Sequence, residues 1–233
     1  MVKASGCTHV GRRENNEDSF VIGKNFAVVA DGMGGHNKGE VASEMAVKCI
    51  CEKLEQLNSV SKKDILDAVN YANTKIFKKS CENNLMQDMG TTVVVCAWNQ
   101  NNVLVANVGD SRCYLISRDN FKQITTDHSY VQSLIDSGEI TEIEAEERLD
   151  KNVILRAAGC ESTVDADLFN FSVSSGDMVL LCSDGLSGVV QANEMKSIFD
   201  KYKSADCIAK ALIDKAYENG GSDNITAVVI IFE

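Results

Sequence analysis

Five aspartates stand at the borders of apolar runs. Asp31 follows AVVA, Asp110 follows VANVG, and Asp184 follows LLCS. Asp223 follows GGS and precedes the last apolar run, while Asp18 closes RRENNED with Glu17 beside it. Each of the five has glycine or serine as a neighbour, and aspartate beside glycine is an ordinary turn residue. VGDSR between two strands suits a hairpin loop, and SDGLS suits the start of a helix. Turn chemistry does not account for the same arrangement recurring at strand end after strand end. No cysteine–histidine cluster accompanies these carboxylates, so their oxygen-only chemistry points to a hard divalent cation, Mg2+ or Mn2+. Carboxylates converging without a cation would repel one another and resist ionisation. Paired divalent ions relieve that conflict.

The stretch VVADGMGGHNKGE (28–40) places four glycines just after Asp31. A dinucleotide-binding turn would need a third glycine where Asn37 stands, and a P-loop would need lysine where Glu40 stands. An anion held by backbone N–H groups is therefore not indicated, whereas glycine lets a main-chain carbonyl approach a cation closely. Two metals about 3.5–4 Å apart activate a shared water for in-line attack, which suits hydrolysis. A phosphoryl substrate also needs a cation for its oxygens, and the arginine fork fits. Arg12 and Arg13 stand just before the first acidic group. Cysteine-based phosphoryl chemistry finds no support: Cys7 precedes Arg12 by five residues, not six, with no glycine-rich cradle between.

The elements that must position these groups follow from periodicity. FAVVA (26–30) reads as a buried strand, then 38–57 as a helix with Val41, Met45 and Cys49 on one face beside Ala46, Ile50, Leu54 and Leu57. A second helix starts at Ser61 as N-cap, with Asp64 at its third position and Ile65, Val69, Ala72 and Ile76 inward. Residues 91–98, 102–108 and 112–117 read as three strands joined by tight polar turns. A capping box, TEIE, lies at 141–144 within the mixed segment 129–160. DMVLLCS (177–183) is a strand, 204–221 a helix closing on two glycines, and 224–232 a final strand. Neighbouring strands with short turns pair antiparallel, and the helices come in separate groups, so the fold class is α+β.

With 233 residues, no proline and no polar linker, the chain reads as one domain over 1–233. The net charge of −11 argues against nucleic acid or an anionic membrane as partner. The N-terminal MVKASGCTHVGRRENN lacks a leader-like apolar core, and AVVIIF is too short to span a bilayer. The nine cysteines include no CxxC pair, and an odd number rules out a complete intramolecular disulfide set. A cytoplasmic protein without membrane insertion is expected.

Seven segments in order now resemble one family: RRENNEDSF (12–20), VVADGMGGHNKGEVAS (28–43), DMGTTVVV (88–95), ANVGDSRCYLI (106–116), TDHS (126–129), LLCSDGLS (180–187) and GGSDNITAVVI (220–230). The chain resembles the metal-dependent PPM protein phosphatases of the 2C type, in their compact bacterial form. The resemblance implies a four-layer αββα sandwich, two antiparallel sheets flanked by helix pairs, with metals at one end. It implies Asp31 bridging two metals, the Gly32 carbonyl on the second, and Asp184 and Asp223 on the first. Glu17 and Asp18 match positions that reach the metals largely through water, and Asp110, with Asp184, matches a third metal position. Arg13 matches the phosphate-binding arginine; Arg12 has the wrong offset.

Some members carry histidine directly after the Asp-Gly pair as a proposed general acid. Here that residue is Met33, which donates no proton, so a metal-bound water is expected to protonate the leaving alkoxide. His36 is expected to be a structural loop residue, and His128 of TDHS has no catalytic role. Residues 129–160 match the family's flap, which is expected to select protein substrates. The implied activity is hydrolysis of phosphoserine and phosphothreonine in proteins with Mn2+ or Mg2+, opposing a serine/threonine kinase. A catalytically weak binding module of the same fold, or a phosphatase of small phosphate esters, are the alternatives.

Overall fold

The computed structural model describes residues 1–34, 38–82, 86–118, 120–146, 148, 150 and 152–233. Eleven strands and seven helices are built from them. The strands are β1 (Val2–His9), β2 (Asp18–Ile22), β3 (Phe26–Met33), β4 (Gly90–Thr91), β5 (Val93–Asn99), β6 (Asn102–Val108), β7 (Arg112–Ile116), β8 (Phe121–Gln123), β9 (Asp167–Ser172), β10 (Met178–Cys182) and β11 (Ile225–Phe232). The helices are α1 (Lys38–Leu54), α2 (Lys62–Glu82), α3 (Tyr130–Asp136), α4 (Glu142–Glu146), α5 (Asp184–Ser187), α6 (Ala192–Lys201) and α7 (Ala205–Glu218).

One sheet runs β1-β11-β10-β7-β8 and the other β2-β3-β5-β6-β9, with β4 extending the pairing of β3. Every pairing is antiparallel. Three hydrophobic layers hold the four layers of structure together. Val28, Ala30, Val93 and Val95 pack under α1 and α2, meeting Ile50, Leu54, Ile65 and Ile76. Ala27, Val29, Val94 and Cys96 face the other way, onto Leu181, Val228 and Ile230 of the second sheet. Leu180 and Val229 then pack under Phe199, Ile208 and Leu212 of α6 and α7. Strand side chains alternate between faces, and here both faces are dry. That is why β5 and β11 read as nearly continuous apolar runs rather than alternating ones.

The α+β class and the flanking helix pairs match expectation. Ser61 caps α2 as expected, its hydroxyl and backbone N–H both on Asp64 Oδ2 at 2.6 and 2.9 Å. The capping box is present: Thr141 N donates to Glu144 Oε2 at 2.8 Å. Two expectations need correction. On α1, Ala46, Cys49, Ile50 and Leu54 are buried as expected, together with Ala42, but Val41 and Met45 are only half-buried. The N-terminal part of α1 buries small residues, Gly39, Ala42 and Ser43, where it meets the backbone of β3 at Gly32. The turn after β6 is also no hairpin: β6 pairs with β5 and β9, and β7 with β10 and β8. The chain crosses from one sheet to the other at Gly109–Ser111, which carries Asp110 to the rim of the sandwich.

Candidate active site

The ends of both sheets meet at one rim, and the carboxylates meet there with them. Asp18 opens β2 and lies directly across from Asp31 on β3. Like charges directly opposite on paired strands destabilise a sheet, so this pair calls for compensation. Asp184 opens α5 immediately after β10, and Asp223 precedes β11. A cavity of about 800 Å3 is lined by Arg13, Glu17, Asp31, Gly32, Asp184 and Asp223 among others. Asp110 lies beyond it, in an adjoining cavity of about 150 Å3 that shares Asp184 and Asp223. Asp18 lies beneath, buried between the sheets. Its Oδ2 accepts from Ser183 Oγ at 2.7 Å and Thr226 Oγ1 at 2.6 Å, so one carboxylate of the first sheet ties down two hydroxyls of the second.

This rim resists ionisation. Burial, then the charges of Asp18, Asp184, Asp110 and Asp223, hold Asp31 well above the usual carboxylate range. Burial pushes Asp18 up to about 7 despite its two hydroxyl donors. Asp110 also rises to about 7, through burial and then Asp184. Asp184 rises through burial and Asp223, offset in part by a hydrogen bond with Asp31. Burial raises Glu17 as well. Among the described residues, the buried Asp18 Oδ1 and Asp110 Oδ1 meet no hydrogen-bond donor. Carboxylates this crowded need either protons or cations, and the all-oxygen donor set suits Mg2+ or Mn2+. Among the described residues no three acidic, histidine or cysteine side chains gather as a ready-made cage. A cation here would take water and main-chain oxygen as well as carboxylates, as Mg2+ characteristically does.

Arg13 reaches the same rim from the loop before β2. Its Nη2 donates to Asp223 Oδ2 at 2.8 Å while the guanidinium stays largely open to solvent. Arg12 instead gives its backbone N–H to Gly221 O. The glycines after Asp31 have a packing reason. A Cβ on Gly32 would lie 2.0 Å from Gly39 O and 2.7 Å from Glu17 O. The first turn of α1 therefore sits on the bare backbone of β3. Asp31 itself is held by its main chain: Thr92 Oγ1 accepts from Asp31 N at 2.9 Å, and Thr91 Oγ1 donates to Asp31 O at 2.9 Å.

Known proteins share this architecture. The family model for protein phosphatase 2C matches residues 5–216. The chain belongs to the protein phosphatase 2C family. The serine/threonine phosphatase stp of Listeria innocua is 36% identical over 228 residues, covering 94% of this chain and 90% of that protein. The crystal structure of the Mycobacterium tuberculosis serine/threonine phosphatase PstP/Ppp superposes with a TM-score of 0.94 at 33% identity, covering 100% of this chain and 99% of the other. A structure of the PstP catalytic domain in complex with two manganese ions has a TM-score of 0.91 at 32% identity, covering 99% and 97%.

Several residues of this 2C-type rim were not singled out from sequence. Thr91, Thr92, Ser183, Thr226 and Asn224 all lie inside the seven matching segments, but small polar residues beside aspartate look like turn residues until their partners are known. Met33 lines the main cavity, where it offers no proton. His36 lies outside the described residues. His128 bridges two segments: its Nδ1 accepts from Gly109 N at 3.0 Å, and Nε2 faces Asp167 Oδ2 at 3.3 Å. Burial lowers its pKa, with Asp167 opposing. In the segment 129–160 the last part is anchored. Ala158 and Thr91 exchange backbone hydrogen bonds, and Gly159 N donates to Asn73 Oδ1 at 2.7 Å.

Proposed function

We propose that this member of the protein phosphatase 2C family hydrolyses phosphoserine and phosphothreonine esters of proteins at a divalent-metal site made by Asp31, Gly32, Asp184 and Asp223, with Glu17 and Asp18 behind and Asp110 beside it. The observation that carries the reading is one cavity lined at once by Asp31, Asp184, Asp223 and Arg13. Mn2+ or Mg2+ bound there supplies positive charge to offset the carboxylates and Lewis acidity toward water and phosphoryl oxygen. Arg13 binds the phosphate, its fork being freed from Asp223 as substrate enters. Gly32 keeps side-chain bulk out of the place where β3 and α1 meet, and Thr91 and Thr92 fix the backbone from which Asp31 projects. The reaction is a direct hydrolysis: a water oxygen bonds to phosphorus, the bond from phosphorus to the serine or threonine oxygen breaks, and a proton passes to that oxygen. Met33 leaves the protein without a side-chain acid at that position, so solvent supplies the proton.

Phosphoproteins are the substrates, and a serine/threonine kinase that makes them is the natural opponent. Action in the cytoplasm is supported by nine free cysteines, and no helix among the described residues is long and apolar enough to cross a membrane. Residues 1–233 act as one catalytic domain, with 129–160 as its flap. The test is turnover of phosphothreonine and phosphoserine peptides against free nucleotides, with Mn2+ and with EDTA. Peptide turnover that EDTA silences and Mn2+ restores is expected. Preference for nucleotides, or turnover indifferent to EDTA, would overturn the proposal.

A further inference from the structure

We infer that Asn224 is a positioning residue for Arg13, holding the loop that brings the guanidinium to the phosphate. This rests on the proposed role of Arg13 in phosphate binding. Asn224 is buried at the start of β11. Its Nδ2 donates to Val10 O and to Asn15 O, both at 2.9 Å, and its Oδ1 accepts from Glu17 N at 2.7 Å. These three points bracket Arg13 on both sides, and all are main-chain groups. Val10 O is also the acceptor of Arg13 N, at 3.3 Å, so the carbonyl that closes the turn under Arg13 is the one that Asn224 grips.

Both amide N–H groups and the oxygen are matched, and a flipped amide would set its oxygen against two carbonyls and its N–H groups against the Glu17 N–H. Asn224 also fixes Asp223, because its backbone N–H donates to Asp223 Oδ1 at 2.8 Å. One residue thus sets the Asp223 carboxylate with its main chain and the Arg13 loop with its side chain. Two glycines let these parts touch. A Cβ on Gly11, at φ +64°, would lie 1.9 Å from Asp223 O, and one on Gly185 would lie 1.9 Å from Asn224 O. Among the described residues Arg13 makes a single ion pair, and it is more than half exposed, so its placement depends on the loop rather than on side-chain packing.

The experiment is a double-mutant cycle on a phosphothreonine peptide with R13A, N224A and the double variant, with thermal melts beside the kinetics. We expect R13A to raise KM about tenfold, and N224A to raise it nearly as much with a smaller change in kcat. The double variant should then exceed R13A by no more than about twofold in KM, because the two act as a unit. A purely structural Asn224 would lower the melting temperature and leave KM in place, which overturns the inference. KM effects that multiply in the double variant overturn it too, while leaving Arg13 its role. An unchanged KM in R13A would instead remove Arg13 from the site, and this inference with it. N224D, which keeps shape but sets an oxygen against two carbonyls, provides the same comparison should N224A not fold, with at least as large a rise in KM expected.

Discussion

Asp18 offers the sharpest measurement, because it is a buried carboxylate whose cost can be read without any catalytic assay. Its pKa rises from 3.8 to about 7, through burial first and neighbouring carboxylates after the two hydroxyls have opposed it. A raised folded-state value means stability that is fully present below the unfolded pKa and lost as pH climbs through the folded one. At about 1.36 kcal/mol per pH unit, the rise corresponds to about 4 kcal/mol lost by the metal-free protein between about pH 4 and pH 8. Asp18→Asn keeps an acceptor for Ser183 and Thr226 and removes the charge. In EDTA at about pH 8 the variant should be more stable than wild type by up to about 4 kcal/mol, or about 8–16 °C in melting temperature for a chain of this size. Near pH 4.5 the gap should shrink to about 1 kcal/mol, or about 2–4 °C, since Asp18 is then protonated in the folded protein and ionised mainly in the unfolded one. Saturating Mn2+ should cancel the advantage or reverse it, because wild type then gains binding energy that the variant gains less of. Calorimetric melts in EDTA and in Mn2+ at both pH values check all of this. A variant destabilised equally at both pH values in EDTA would refute the reasoning: Asp18 would then be a net stabilising hydrogen-bond acceptor, and the rim would carry no charge conflict for metal to relieve.

Asp184→Asn should abolish metal-dependent hydrolysis while leaving the far-ultraviolet circular dichroism unchanged, since Asp184 lines both adjoining cavities; near-normal turnover would refute its assignment. Gly32→Ala should destabilise by at least about 1–3 kcal/mol, the usual cost of overpacking, because the new methyl meets main-chain oxygens on both sides; chemical denaturation measures it, and a neutral result would mean that α1 can draw back from β3. Replacing residues 130–152 by a short linker, with the anchored end at Ala158 and Gly159 kept, should slow turnover of phosphoproteins more than that of a small aryl phosphate; equal losses on both would end the case for the flap in substrate choice.

Much of this was legible in the chain. Apolar runs that stop at aspartate, small residues around them, and a lack of histidine or cysteine clusters are local facts, and they limit the chemistry to hard cations at strand ends. Strand and helix types followed the hydrophobic period, because 2.0 and 3.6 residues are properties of the backbone itself. Less was legible where a pattern is short or half-polar. β1, β2 and β9 are edge strands with mixed burial, so their alternation is weak. On α1, periodicity gives the apolar stripe but not its centre: close approach to β3 puts Ala42 inward and leaves Val41 and Met45 half-buried at the stripe's edge.

Tertiary structure alone decided who meets whom. No spacing reveals that VGDSR crosses between sheets rather than closing a hairpin, since turn residues serve both purposes. Nor does any spacing reveal that Asp18 on one sheet binds Ser183 and Thr226 on the other, 165 and 208 residues away, or that Asn224 holds a loop more than two hundred residues earlier in the chain. Side-chain type fixes what a group can do, and that is written residue by residue. Which groups share a few ångströms of space, and so alter one another's charge, is set by the stacking of the two sheets.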